Sequence, residues 1–194
     1  MSDSRPSLRI FVLILLLWFA GLGAAGQFAK IGVPFAEIQQ MFPQAGASVG
    51  LLLSLVSLIG AVFGMVAGVL VTGIGLRGAL IFALIFGGLM SLLQAQLTSL
   101  PALLVSRGFE GLSHLLIVVA APTLIAQITP DRFRSFAMTL WATFFGVAYA
   151  LTAWLGMDLV ARSGLDALFR VHGFYMLVIA GALAVLLPRA AAST

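Results

Sequence analysis

Six apolar stretches joined by short linkers fix the environment of this chain before any motif is considered. They cover residues 8–35, 47–71, 79–97, 101–127, 136–157 and 167–187. A helix of roughly 20 apolar residues crosses a bilayer core, and each stretch is about that long or longer. With 62% of its 194 residues hydrophobic and 8% charged, the chain has too little polar surface to enclose such a core in water. Lipid is the predicted solvent. The expected fold is all-α: a polytopic membrane protein whose residues 1–194 form one bundle of six transmembrane helices. The linkers leave no room for a soluble domain.

The chain has no cysteine, which excludes disulfides, thiolate nucleophiles and Cys-based metal sites. No metal or other cofactor is expected. The pI of about 10.7 reflects few charges and a small arginine excess, not a basic cluster, so no nucleic-acid partner is expected. Arg5 and Arg9 followed by Gly23-Ala24-Ala25 have the flavour of a secretory leader. The apolar run is too long for a leader's core, and the first stretch is read as a retained span.

The fourth stretch is the one the others must surround. Near its start it reads Ser106-Arg107-Gly108-Phe109-Glu110-Gly111-Leu112-Ser113-His114. A charge in a bilayer core costs several kcal/mol and is kept only where it faces a bundle interior or a wet cavity. Positions 107, 110, 111 and 114 share one helix face. That face holds a cation, a carboxylate, a small gap and an imidazole, so it is predicted to meet other helices or water.

Lys30, roughly 33 Å along the first helix from Leu8, falls near the opposite interface. Two readings stand for it. It snorkels to water, or it points with Gln27 into a central cavity. Glu110 and His114 are four residues apart and are expected to touch. A carboxylate beside an imidazole that titrates near neutrality can relay protons. The alternative is that Glu110 neutralises Arg107 and His114 bonds a neighbouring helix. His172, close to the start of the sixth stretch, is expected at the interface among belt residues.

Cytoplasmic ends collect Lys and Arg. If the helices alternate, Arg5, Arg9, Arg77, Arg132, Arg134 and Arg189 all fall on one side. Arg162 and Arg170 fall on the other, offset by Glu37, Asp158 and Asp166. Both termini are therefore expected in the cytoplasm, with the bundle in a bacterial inner membrane.

Small residues mark two further helices. Gly60, Gly64 and Gly68 repeat by four on the second, and Ala142, Gly146 and Ala150 on the fifth. Such stripes let helices approach closely in lipid. The third stretch is plain apart from Gln94 and Gln96 and is expected to be structural and peripheral. Pro122 is expected to kink the fourth helix near its end.

The run Gly68-Val69-Leu70-Val71-Thr72-Gly73-Ile74-Gly75-Leu76-Arg77 resembles the signature between helices 2 and 3 of the major facilitator superfamily, Gly-x-Leu-x-Asp-Arg-x-Gly-Arg-Arg. Gly68, Leu70, Gly75 and Arg77 match. Thr72 and Gly73 replace the Asp and Arg of the cytoplasmic charge latch, which the resemblance therefore implies to be weakened or absent. Arg107-x-x-x-Gly111 is similar to the family's second signature, whose Arg faces the cavity, and Pro130-x-Arg132-x-Arg134 is also typical. The Gly-x-x-x-Gly-Pro signature of the antiporters is missing.

The resemblance implies two three-helix inverted repeats and one wall of a chamber in which a solute binds near the midplane. It implies a cavity-facing Arg107; Lys30 and Gln27 are expected beside it as substrate contacts from their place on the first helix, and Glu110 and His114 as the proton-coupling pair from their spacing. A full member has two such halves, and this chain resembles one. A homodimer built on the two small-residue stripes is expected, since a two-fold interface uses the same patch twice. The paired cations favour a small organic anion as solute.

Other classes fit less well. A rhomboid-like protease needs a Gly-x-Ser-x-Gly around its serine, and Ser113 lacks it. A water channel needs Asn-Pro-Ala half-helices, and the tripeptide does not occur. A non-transporting subunit, or the amino-terminal part of a longer transporter, stays open beside the half-transporter.

Overall fold

A computed structural model describes residues 8–188, without the side chains of Leu70 and Thr72. Arg5 and Arg189, part of the charge bias above, lie outside the described residues. Among the described residues, six helical spans are long and apolar enough to cross a membrane. The spans are α1 (Leu8–Gly32), α3 (Leu51–Ile74), α4 (Leu76–Gln94), α5 (Leu100–Ile128), a composite fifth span (Asp131–Ser163) and α9 (Leu165–Leu186). A short helix, α2 (Phe35–Met41), and a 3-10 turn (Gly46–Gly50) join the first two spans.

The boundaries have local causes. The first helix ends at Gly32 instead of running to residue 35, because Pro34 supplies no backbone donor. Gly75, at φ 77°, turns α3 into α4 in a conformation that L side chains rarely adopt, and Gly164, at φ 85°, does the same before α9. Pro101 sits in the first turn of α5, where a missing N–H does no harm. Beyond it, α5 continues as one helix through Pro122.

The fifth span departs from the single helix expected over 136–157. It consists of α6 (Asp131–Ala142), α7 (Phe144–Leu151), a π-helical turn (Thr152–Gly156) and α8 (Met157–Ser163). At the first break Thr143 turns its hydroxyl to the Leu140 carbonyl at 2.7 Å and accepts the indole N–H of Trp18 at 3.1 Å. Side-chain bonding to the local backbone competes with the helical ladder there.

The core lies between α1, α4, α5 and α9, with Leu17, Ala24, Leu80, Ala83, Ile117, Ala121, Met176 and Leu183 buried in it. Where α4 crosses α9, a Cβ on Gly88 would stand 3.0 Å from the Gly173 carbonyl oxygen, and one on Gly173 would stand 2.8 Å from the Gly88 oxygen. The two backbones touch at this point, and larger residues would wedge them apart. The third span is thus central, not peripheral as its plain sequence implied.

The second and fifth spans are the bare ones. They bury 17% and 11% of their membrane windows, whereas the other four bury between 39% and 50%. A Cβ added at Gly60, Gly64, Gly68 or Gly146 would meet nothing within 4 Å. Ala142 and Ala150 are exposed. The small-residue stripes therefore pack against nothing among the described residues.

Candidate functional site

The polar residues of four spans meet inside this bundle. Lys30 of α1 and Arg107 and Glu110 of α5 are 1%, 0% and 0% exposed. Helical spacing puts Arg107 and Glu110 on one face of α5, and α1 crosses that face with Gln27 and Lys30. Lys30 Nζ donates to Glu110 Oε1 at 2.6 Å and to Ser91 Oγ at 2.7 Å. It also stands 5.2 Å from the centre of the Phe169 ring. Arg107 Nη1 donates to Glu110 Oε2, and Gln94 Nε2 donates to the same oxygen at 2.9 Å. One carboxylate thus serves two cations and an amide. The snorkelling alternative for Lys30 does not hold, because its ammonium is sealed on this carboxylate.

Arg107 also ties helices together through their backbones. Its Nε donates to the Leu52 carbonyl at 3.0 Å and its Nη1 to the Gln27 carbonyl at 2.7 Å. Gly111 makes room for this packing. A Cβ there would lie 2.8 Å from Ile59 Cβ of the second span. The Arg-x-x-x-Gly pair therefore has a steric half and an electrostatic half on one helix face.

A second chain of bonds runs beside the first. Gln27 Nε2 donates to Ser113 Oγ at 2.9 Å, and Ser113 donates to the Ala83 carbonyl at 2.7 Å. Gly87 cradles this crossing: a Cβ on it would collide with Ser113 Oγ and stand 2.6 Å from Gln27 Nε2.

Three buried polar atoms keep unused capacity among the described residues: Gln27 Oε1, Gln94 Oε1 and Arg107 Nη2. The expectation for His172 is corrected here. It is buried, not interfacial, because it lies seven residues into α9, roughly 10 Å from the helix end. Its Nε2 donates to the Gly23 carbonyl at 2.9 Å, and its Nδ1 faces Ser91 Oγ at 3.0 Å. The single Ser91 proton serves either this nitrogen or the Phe169 carbonyl at 2.9 Å.

The expected contact between Glu110 and His114 is corrected too. Both Glu110 oxygens are taken by Lys30, Gln94 and Arg107, and no hydrogen bond joins it to His114 among the described residues. His114 turns away, donating Nδ1–H to the Ala24 carbonyl at 3.1 Å, and packs edge-on to Phe28.

Arg77, the last residue of the signature between the second and third spans, holds the far end of the bundle. Its Nε and Nη2 donate to the carbonyls of Leu187 and Ala184, at 2.9 and 2.6 Å. Those oxygens end α9 and carry its negative dipole end.

The sequence profile of the Major Facilitator Superfamily matches residues 13–194. The chain belongs to this superfamily. Six spans and an all-helical bundle among the described residues agree with that membership. Among curated proteins, the 4-hydroxybenzoate transporter PcaK of Pseudomonas putida is 32% identical over 191 residues, 97% of this chain and 41% of that protein. The 4-hydroxybenzoate transporter PcaK of Pseudomonas aeruginosa is 31% identical over 185 residues, 94% of this chain and 40% of that protein. The chain therefore spans about two-fifths of the length of the curated relatives it matches.

Sequence reasoning pointed to Arg107, Lys30, Glu110 and Gln27, and the structure brings these four together. It missed Ser91, Gln94, Ser113 and His172. A signal existed on the third span: Gly87, Gly88, Ser91 and Gln94 repeat at helical spacing on one face.

Proposed function

We propose that the chain forms one half of an alternating-access transporter for a small organic anion, with an aromatic carboxylate as the favoured class. The observation that carries this is the similarity, along nearly the whole chain, to two proteins named as 4-hydroxybenzoate transporters. The charge balance of the buried cluster supports it. Lys30 and Arg107 stand against Glu110, an excess of one cation, and a low-dielectric surround strengthens its pull on an anion. In this proposal Arg107, Lys30 and Gln27 act on the substrate when the cluster re-partners, and Arg107 Nη2 and Gln27 Oε1 are the atoms with capacity to spare. Glu110 is the proton-coupling carboxylate, joined by His114 when the Lys30 pair opens. The test is counterflow uptake of labelled 4-hydroxybenzoate into liposomes containing only the purified protein. Uptake above empty liposomes, inhibited by unlabelled substrate, is expected. Uptake equal to empty liposomes refutes the proposal and favours a non-transporting subunit.

The bare faces of the second and fifth spans call for a second six-helix unit, so that the chamber has two walls. A second copy of this chain, in a homodimer, supplies it by two-fold symmetry. The shared length with the relatives favours the other source, a further half of a longer polypeptide. Because the chain has no cysteine, Gly64→Cys and Gly146→Cys can be introduced cleanly. Crosslinks between two chains support the homodimer, and exclusively intrachain products refute it. The charge bias supports cytoplasmic termini in an inner membrane.

A further inference from the structure

Four aromatic rings from three spans stand in one continuous strip outside the ion cluster. His114 of α5 meets Phe28 of α1 at 4.8 Å between centroids, nearly perpendicular. Phe28 meets Phe145 of α7 at 5.6 Å, and Phe145 stacks on Tyr149 at 5.5 Å with planes 20° apart. These separations are those at which π systems attract beyond simple area burial. None of the four rings is fully buried, and Phe145 is 38% exposed.

Two features separate this strip from an ordinary lipid-facing surface. The first is His114. Its Nδ1 is engaged by Ala24, and its Nε2 has no hydrogen-bond partner among the described residues. A bare imidazole nitrogen is unfavourable against acyl chains and fits a wet cavity wall. The second is the Tyr149 hydroxyl at the other end of the strip, a polar group on a half-buried ring that packs beside α1. There the Tyr149 hydroxyl lies 3.2 Å from where a Cβ on Gly32 would stand, which leaves no room for a larger residue without a shift. An apolar π surface with a phenolic hydroxyl, a donor, at one end and a bare acceptor nitrogen at the other suits a flat ring that carries a carboxylate and a polar hydrogen.

We infer that the strip formed by His114, Phe28, Phe145 and Tyr149 is the surface on which the ring of an aromatic carboxylate lies during transport. This rests on the anion-transport proposal above and adds the residues that select an aromatic ring over a saturated one. Stacking contributes through the quadrupole of the rings, so a ligand of equal charge and similar bulk without a π face gains less.

The test uses benzoate and cyclohexanecarboxylate as probes, bound to the purified full-length protein in nanodiscs. The wild type is expected to prefer benzoate. Phe145→Leu keeps an apolar side chain on an exposed position and removes the π face. It is expected to weaken benzoate roughly three- to tenfold and to leave cyclohexanecarboxylate unchanged. Phe28→Leu is expected to act in the same direction. Phe82→Leu, at an exposed ring stacked on Phe86 of the third span, is the control and should change neither. Equal loss for both acids in Phe145→Leu and Phe28→Leu, or no loss, overturns the inference. If the wild type binds both acids equally well, the anion proposal stands and the strip falls. If it binds neither, the anion proposal fails and the strip with it.

Discussion

Lys30 Nζ lies 2.6 Å from Glu110 Oε1, in a site where both side chains are closed to solvent, and this pair fastens the first span to the fourth. A buried ion pair is weak evidence for stability in itself, but removing one partner leaves an uncompensated charge and costs about 3–5 kcal/mol. Glu110→Gln strands two cations at once, so its thermal midpoint in detergent should fall steeply. The double variant Lys30→Met with Glu110→Gln should recover a substantial part of the loss. An unchanged midpoint in Glu110→Gln would show that the carboxylate is not ionised on Lys30.

Arg107 differs from Lys30 in needing its planar fork. It bonds two carbonyls from two helices as well as Glu110. Arg107→Lys keeps the charge but cannot reproduce those bonds. Carbonyls left without their donor cost about 1–3 kcal/mol. The variant should therefore be less stable than wild type and inactive in uptake. Wild-type uptake with Lys at this position would reduce Arg107 to a point charge.

Glycines of this chain divide into two classes with opposite predicted behaviour. At Gly87 a methyl group would press on Ser113, Gln27 and Met176. Overpacking of this kind costs roughly 1–3 kcal/mol. Gly87→Ala should lower the midpoint and disturb the Gln27–Ser113 bond. At Gly64 the same methyl meets open space, and in a helix Ala exceeds Gly in propensity by about 1 kcal/mol. Gly64→Ala should leave the isolated bundle as stable as before or more so, while weakening association across the open face. Comparing melting curves with the mass in nanodiscs separates the effects. Parallel losses at Gly64 and Gly87 would contradict the division.

Arg77 closes the carbonyl end of α9. A cation at a helix C-terminus contributes typically 0.3–1 kcal/mol. Arg77→Gln should therefore have a small effect on the midpoint and a local effect on amide exchange, confined to the residues preceding Leu187. Fast exchange throughout α9 would indicate that the contact holds more than its last turn.

Much of this arrangement could be read from the sequence, for reasons specific to the residues. Arg107 and Glu110 inside an apolar stretch announce their own burial, because lipid permits no other placement for them. Ser91, Gln94 and Ser113 announce nothing alone, since serine and glutamine are neutral enough to sit on many helix faces. Their role emerges when the spans close around them, as α4 and α9 do at Gly88 and Gly173, and within α4 it is marked by the shared face of Gly87, Gly88, Ser91 and Gln94. The apolar run of the sixth stretch starts at residue 167 and so sets His172 near an end, whereas α9 begins at Leu165 and continues the turn set by Gly164. Of the breaks in the fifth span, the first falls where Thr143 meets the indole of Trp18, which a scan of one helix at a time does not see.

Those breaks distribute mechanical compliance unevenly. A rod interrupted at Thr143 and again across Thr152–Gly156 bends at two joints, while its neighbours are stapled by ions and touching glycines. Bending strain on the flank that bears Phe145 and Tyr149 therefore falls on these two joints before it reaches the ion pairs.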